Sequence, residues 1–433
     1  MKYSGVHPYT AAGILSRFAF LLIIPLFQGI FAQPQSLGQI LRTWGLNLLV
    51  TALICLWAGA SVRAQGYHAG EDRLFLKKGI ILKRWLEIPY RNIHSITVER
   101  SLLPALFGAA RLHLDTPAGG RKRADCTLTL SRKKLRQAAE TIFPAGEGKV
   151  LYRAGFWRLL LMSASWSNPG TGLFVAAPFI DRLGKLLGEE ISERLYSTVN
   201  IGLELAAWGI PPAAALLATV LAAGWGIALI VQLFRYGGFA VSRSEEAISI
   251  ERGLISNRRM LVRTDRLSAV SVRQSLLMRF LRLYGAYLHT VGTGKDKGDR
   301  SLLIAAAPEK ELTSALSRVT GLPLRAEKPL CPPKRARRSF FTVPLLVLLG
   351  VVGLLALAPS LFRLQIQLSL LLLLFPLPFF GWWLLFRWQA YKTSLLAVQG
   401  DALLVAGYRR LTLWRVSVPQ SRLQRVELRQ NPF

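Results

Sequence analysis

Two stretches of this chain match one another closely: GIILKRWLEIPYRNIHSITVERSLL at Gly79–Leu103 and GLISNRRMLVRTDRLSAVSVRQSLL at Gly253–Leu277. They align over 25 positions without a gap, at an offset of 174 residues. Each begins with a glycine, continues through a charged segment and alternating apolar residues, and ends in Ser-Leu-Leu. A third, degenerate copy, RRLTLWRVSVPQSRLQRVELRQNPF, occupies Arg409–Phe433. Repetition of this kind indicates a chain built by triplication of one structural unit.

Each copy follows a pair of uncharged, largely apolar runs, and hydrophobic residues make up 52% of the chain. Every run is long enough to cross a hydrocarbon core of about 30 Å, which takes a helix of roughly 20 residues. We therefore predict an α+β membrane protein with six transmembrane helices in three hairpins. The runs are Phe18–Leu41, Thr43–Val62, Leu159–Ile180, Leu205–Phe234, Ser339–Phe362 and Leu364–Phe386.

The charge distribution predicts the orientation. Arg63–Arg158 carries 19 basic and 8 acidic residues and Arg235–Arg338 carries 21 and 9, whereas Asp181–Gly209 has an acidic excess. Because Lys and Arg are enriched in cytoplasmic segments, we expect the copies in the cytoplasm and a multi-pass protein of the cell (inner, cytoplasmic) membrane with both termini cytoplasmic. The third run is broken by polar residues at Ser163–Thr171. It fits a span or a re-entrant loop, and the basic character of both flanking copies favours a span.

The domain boundaries follow from this alternation of apolar and basic segments. We predict hairpins at 1–63, 151–235 (with an outer amphipathic segment at Asp181–Asn200) and 331–387, and modules at 64–150, 236–330 and 388–433.

Within the modules, alternating residues predict strands, with Gly79 and Gly253 at hairpin turns. Helical spacing predicts closing helices at Arg132–Ile142 and Pro308–Val319. Strands closed by one helix indicate a small barrel plugged by that helix. The third copy stops before such a helix, so we expect it to be incomplete.

In this chain, paired helices precede each basic β-module. The segment Ile88–Val98 has the pattern hydrophobic-Pro-x-x-x-Ile-x-x-Ile-x-Val. This combination resembles a known family. It is similar to that of bacterial pleckstrin-homology-like (PH-like) membrane proteins of the YdbS/YdbT type, and the three-module layout looks like the longer YdbT-like members. The resemblance covers essentially the whole chain. It implies a split β-barrel with a C-terminal helix for each module. It implies no defined biochemical activity, although some relatives are linked to tolerance of membrane-active antimicrobial peptides.

No catalytic constellation stands out in the sequence. The five histidines include no HxxxH or HExxH pair, and the three cysteines show no paired or metal-type spacing. His94, His113 and His289 fall in or near predicted strands, where structural histidines are common. We therefore expect no enzymatic activity, no cofactor and no metal site.

The remaining candidate site is basic surface close to the membrane. A net charge of +31 indicates an anionic partner, and the apolar runs favour anionic lipid over nucleic acid. The alternative is solvated hairpins whose charges merely satisfy the positive-inside rule. The candidates for headgroup or partner binding are Lys77, Lys78, Lys83, Arg84, Arg258, Arg259, Arg409 and Arg410 near the first hairpin of each module, and Lys334, Arg335, Arg337 and Arg338 beside the fifth run.

The leading functional hypothesis is a non-enzymatic membrane scaffold. Its modules would bind lipid headgroups, a protein partner or each other, and the partner would be a smaller membrane protein of the same family. The resemblance places this role in envelope stress or antimicrobial-peptide tolerance. The rival hypothesis is a transporter or exporter subunit for a lipid or peptide, with the broken third run lining the path.

Overall fold

A computed structural model describes residues 3–18, 37–116, 126–144, 146, 148–167, 212–290, 301–325, 327–362, 377–409, 411–423 and 425–427. It divides into two compact units that alternate along the chain. The first comprises Met1–Val150, Phe234–Arg266 and Thr290–Arg300. The second comprises Leu151–Leu233, Leu267–His289 and Ser301–Phe433. Each unit therefore contains parts of two copies of the repeat.

The described strands are, in chain order, β1 (Ser4–Gly5), β2 (Gly66–Ala69), β3 (Arg73–Lys78), β4 (Arg84–Pro89), β5 (Ser95–Arg100), β6 (Ala109–Asp115), β7 (Cys126–Ser131), β8 (Lys149–Arg153), β9 (Ala240–Arg243), β10 (Ala247–Arg252), β11 (Asn257–Arg263), β12 (Leu267–Gln274), β13 (Leu283–Thr290), β14 (Leu302–Pro308), β15 (Leu395–Gln399), β16 (Ala402–Arg409) and β17 (Thr412–Pro419).

The described α-helices are α1 (Thr10–Leu15), α2 (Leu37–Arg63), α3 (Leu102–Leu106), α4 (Arg132–Ile142), α5 (Phe156–Trp166), α6 (Pro212–Tyr236), α7 (Leu276–Phe280), α8 (Glu309–Thr320), α9 (Ala336–Phe362) and α10 (Leu377–Thr393). Short 3₁₀ turns occupy Ser16–Phe18, Tyr90–Asn92, Thr264–Arg266 and Gln420–Arg422. The closing helices predicted from the sequence are confirmed, since α4 has the expected bounds and α8 differs from them by one residue at each end.

Antiparallel pairing builds the first unit. One sheet has the order β1-β2-β3-β4, and six strands of a larger sheet follow the order β7-β6-β5-β11-β10-β9. The contact between β5 and β11 joins the first copy of the repeat to the second, with Leu261 opposite Ile96. A strand of one copy thus completes a sheet with a strand of the next.

The core of the first unit collects alternate residues of β3, β5, β6 and β7, because successive side chains of a strand point to opposite faces. Helix α4 adds Leu135, Ala138 and Ile142, which share one face of the helix. These strands and α4 together agree with the split barrel and closing helix expected for the first module. The large apolar side chains of these strands that are fully buried are Leu74, Ile96, Leu112, Leu114 and Leu130.

The second unit repeats the same junction. Its six-stranded sheet has the order β14-β13-β12-β17-β16-β15, so β12 of the second copy pairs with β17 of the third. Val270 lies opposite Ser417, and these residues align with Ile96 and Leu261 of the first unit. Both junctions therefore pair equivalent strands of neighbouring copies in the same register. The fold is mixed α and β, with several antiparallel sheets compatible with PH-like domains.

The apolar runs are described only in part. Among the described residues, one helical stretch, Ala336–Leu355 of α9, is long and apolar enough to cross a membrane, and Leu48–Arg63 and Val220–Tyr236 are shorter apolar helices. Most of the first run, the amphipathic segment Asp181–Asn200 and the beginning of the sixth run lie outside the described residues. Six spans therefore remain a prediction.

The described beginning of the third run packs on a sheet. Helix α5 lies against β14, with Met162 fully buried, and its Arg158 forms an ion pair of 2.5 Å with Glu311 of α8. The Tyr152 hydroxyl, just before α5, donates to the Ala305 carbonyl. The first turns of the run Leu159–Ile180 are therefore anchored to protein, and the polar break beyond Ser167 lies outside the described residues.

The glycine at the start of the first and second copies is required by the hairpin turn. Gly79 has φ +107° and Gly253 has φ +100°, in the region that L side chains rarely adopt. A Cβ on Gly79 would lie 2.0 Å from the Leu82 carbonyl oxygen, and one on Gly253 would lie 2.0 Å from that of Ser256. The turns predicted at these glycines are confirmed.

Gly79→Ala should lower the free energy of unfolding by about 1–3 kcal/mol, because the new methyl group adds a steric clash to an unfavourable φ. Scanning fluorimetry of the full chain in detergent would show this as a reduced melting temperature. Gly59→Ala in α2 is the control, since nothing lies within 4 Å of a Cβ there. Equal melting temperatures for the two variants would contradict the argument.

Candidate functional site

The β3–β4 hairpin presents the basic residues predicted in the first copy. Lys78 lies opposite Arg84, and Lys77 lies opposite Trp85. Residues directly opposite share a face of the sheet, so Lys78 and Arg84 form one basic pair while Lys77 accompanies an aromatic ring on the other face. Lys83 lies in the connection and is exposed. All four basic residues are thus brought to one end of one sheet.

A cavity of about 460 Å³ adjoins this hairpin. Three of the predicted basic residues line it, together with apolar side chains that the sequence argument did not select. Trp85 is 63% exposed and Leu86 is 50% exposed, which is unusual for large apolar side chains on a strand beside a core. Their place within a basic segment was the signal available in the sequence. The lining residues are Val6, Gln65, Gly66, Leu76, Lys77, Lys78, Arg84, Trp85, Leu86, Cys126, Thr127 and Leu128.

The corresponding arginines of the second copy are engaged by acidic side chains. Arg258 lies 3.4 Å from the Glu99 carboxylate, and both side chains are only 19% exposed. Arg259 forms an ion pair of 3.1 Å with Glu251 and donates to the Ser249 hydroxyl. The aligned residues Arg84 and Arg258 therefore have different surroundings, because β5 covers β11 whereas no described strand covers the outer edge of β4.

Glu99 is the centre of the polar cluster at the β5–β11 junction. It accepts hydrogen bonds from His113 Nε2 at 3.2 Å and from the Ser101 hydroxyl at 2.7 Å. The His113 hydrogen bond, the charge of Arg258 and the Ser101 hydrogen bond together lower the pKa of Glu99 to about 2, against the opposing effect of partial burial. The carboxylate therefore remains ionised and holds the two copies together electrostatically.

The remaining predicted residues lie in the second unit. Arg409 ends β16, and Arg410 lies outside the described residues. Lys334, Arg335, Arg337 and Arg338 precede or begin α9 and are exposed. Arg337 also lies 4.6 Å above the Trp388 ring of α10, which is a cation–π contact that links the two helices near one end.

Two of the three histidines expected to be structural, His113 and His289, have side-chain partners within sheets. His113 Nδ1 lies 3.0 Å from the Thr127 hydroxyl, and His289 Nε2 lies 2.7 Å from the Ser271 hydroxyl. In the part of the chain that the structure describes, no three His, Cys, Asp or Glu side chains gather as metal ligands would.

Comparison with known proteins identifies the family to which these sheets belong. The model of the family described as "Bacterial PH domain" matches residues 19–144 and 198–319. The first match covers the first pair of apolar runs and the module that follows it, whereas the second covers only the fourth run, Leu205–Phe234, and the module after it. The chain belongs to the bacterial PH domain family.

A curated relative extends the similarity over most of the chain. The UPF0699 transmembrane protein YdbT of Bacillus subtilis (strain 168) is 23% identical over 413 residues, which cover 88% of this chain and 79% of that protein. This similarity supports a membrane location. No solved structure matches the chain at a significant level.

Glu99→Gln should destabilise the first unit at pH 7 by roughly 2–3 kcal/mol, because each pKa unit corresponds to about 1.4 kcal/mol. The folded pKa lies below the ordinary value of 4.5. The contribution is therefore fully present above about pH 5 and is lost as the pH falls towards 2.

Melting temperatures of the full chain in detergent between pH 3 and pH 7 would test this prediction. Glu140→Gln is the matched control, since its ion pair with Arg136 is exposed on α4, where such pairs contribute about 0–1 kcal/mol. A Glu99→Gln deficit that is independent of pH would contradict the electrostatic explanation.

Proposed function

We propose that this protein is a non-enzymatic, polytopic membrane scaffold whose cytoplasmic PH modules bind anionic lipid headgroups and a protein partner. The partner would be a smaller membrane protein of the same family. Six spans in three hairpins would hold all modules and both termini on the cytoplasmic side. Following the family resemblance, we place this scaffold in envelope stress responses, including tolerance of antimicrobial peptides.

The observation that carries the lipid part is the cavity beside the β3–β4 hairpin. Lys77, Lys78 and Arg84 bring positive charge to a wall that includes the exposed rings and methyl groups of Trp85 and Leu86. Tryptophan is favoured at membrane interfaces, where one end is apolar and the other is wet. Cationic side chains beside exposed apolar ones suit a surface that offers phosphate groups above acyl chains.

The contacts of the second copy support a headgroup site on the first module and not on the second. Arg258 and Arg259 already have carboxylate partners, so a lipid phosphate would have to compete with Glu99 and Glu251. The first hairpin has no such competitor within the described residues for Lys77, Lys78 or Lys83. We therefore place the headgroup site on the first module.

Lys77→Glu/Lys78→Glu/Lys83→Glu should weaken binding of phosphatidylglycerol to the full chain in maltoside micelles. Each basic residue contributes about 1 kcal/mol near an anionic headgroup, so we expect a loss of roughly a hundredfold in affinity. Thermophoresis with a fluorescent phosphatidylglycerol measures this affinity.

The matched control is Arg132→Glu/Lys133→Glu/Lys134→Glu, which makes the same charge change on exposed residues of α4. Equal losses for the two triple variants would show that net charge alone attracts the lipid. That result would contradict a site on the hairpin.

The topology can be tested with reporter fusions. A phosphatase fused after Glu190 should be active, because the outer segment is expected outside the cytoplasm, whereas the same fusion after Glu327 should be inactive. A cytoplasmic reporter should show the opposite pattern. Phosphatase activity after Glu327 would overturn the proposed orientation.

A further inference from the structure

Strand β4 is the outermost strand of the four-stranded sheet. Its inner edge pairs with β3, and no strand among the described residues pairs with its other edge. Four of its six residues are exposed, including Trp85 and Leu86. An exposed edge of this length that carries apolar side chains is a template for another strand.

The strands that align with β4 in the other copies are both covered. In the second copy β11 pairs with β5, and in the third copy β17 pairs with β12. The register is the same in both, since Leu261 faces Ile96 and Ser417 faces Val270. The covering strand comes in each case from the preceding copy, and it carries Ile-x-Val in β5 and Val-x-Val in β12.

Covering changes the burial of the aligned residues. Glu87 of β4 is exposed, whereas its counterpart Leu261 on β11 is 8% exposed. Arg84 of β4 is exposed, whereas its counterpart Arg258 is shielded in the ion pair with Glu99. Strand β4 thus aligns in sequence with two strands that are paired on both edges, but no described strand pairs with its own outer edge.

Among the described strands of this chain, the two that match the covering strand are already paired. Strand β5 pairs on β11 and β12 pairs on β17. Releasing either would remove its backbone groups from a sheet, and unpaired buried backbone groups are costly. A strand on β4 is therefore expected from another polypeptide.

The register and charge of β4 select that strand. By analogy with the β5–β11 pair, in which Glu99 faces Arg258, the residue in the position of Glu99 would face Arg84. Arg273 of β12 and Arg429 of the third copy align with Glu99, and both would repel Arg84. An acidic residue at that position would reproduce the observed ion pair.

We propose that the free edge of β4 binds the Ile-x-Val strand of a bacterial PH module in a second protein, antiparallel, with an acidic side chain opposite Arg84. The inference rests on the proposed scaffold function and deepens it, because it defines the partner's contact strand. Recognition is by β-augmentation, in which backbone hydrogen bonds provide affinity and alternate side chains provide specificity.

The experiment uses the full chain in detergent and a labelled synthetic peptide with the sequence of residues 92–103, NIHSITVERSLL. We expect saturable binding by fluorescence polarisation. A Glu99→Lys peptide should bind about tenfold more weakly, because the attraction to Arg84 becomes repulsion. The chain variant Arg84→Glu should reverse this preference and bind the Glu99→Lys peptide better than the original one.

Each outcome bears on the proposal separately from the lipid site. Reversal of peptide preference by Arg84→Glu supports the β4 edge. Absence of binding, or binding that Arg84→Glu leaves unchanged, overturns it. The variant Lys77→Glu/Lys78→Glu/Lys83→Glu should lose phosphatidylglycerol and keep the preference for the Glu99 peptide over the Glu99→Lys peptide. Normal lipid binding without peptide binding would leave the scaffold in place and remove only the strand-docking site.

Discussion

Backbone pairing across the boundary between copies, β5 with β11 and β12 with β17, is the constraint on which the rest of the structure depends. Buried strands must satisfy their N–H and C=O groups, and in both units a central strand does so only through the neighbouring copy. The three modules are therefore not structurally independent of one another. Removing one copy would expose a strand of the next and leave a sheet incomplete.

This pairing places aligned residues in different surroundings. The arginine that follows the hairpin glycine by five residues is exposed at Arg84 and paired with Glu99 at Arg258. In the third copy, Trp414 aligns with both. The different surroundings of aligned residues thus arise from which strand edge is covered, more than from the shared sequence pattern of the copies.

Much of the local structure could be predicted from the sequence. The glycine turns, the alternating strands and the closing helices follow from periodicity and backbone sterics, which act over short distances. Periodicity shows which face of a strand is buried, but it does not show which strand lies alongside. The β5–β11 junction was therefore missed, and Arg258 was selected as free basic surface because its partner Glu99 lies 159 residues away. Trp85 and Leu86 were passed over because the sequence argument selected basic residues only.

The long separation of β5 from β11 also affects how the protein is made. Glu99 and Arg258 are 159 residues apart, and the second pair of apolar runs lies between them. At about 5–20 residues per second, β5 waits roughly 8–30 seconds on the ribosome for its partner strand. In the proposed topology, the intervening hairpin would enter the membrane and return to the same side before the sheet closes. With that topology, the sheet would close only after correct insertion, and a chain with a misplaced hairpin would leave the partner edge of β5 unpaired.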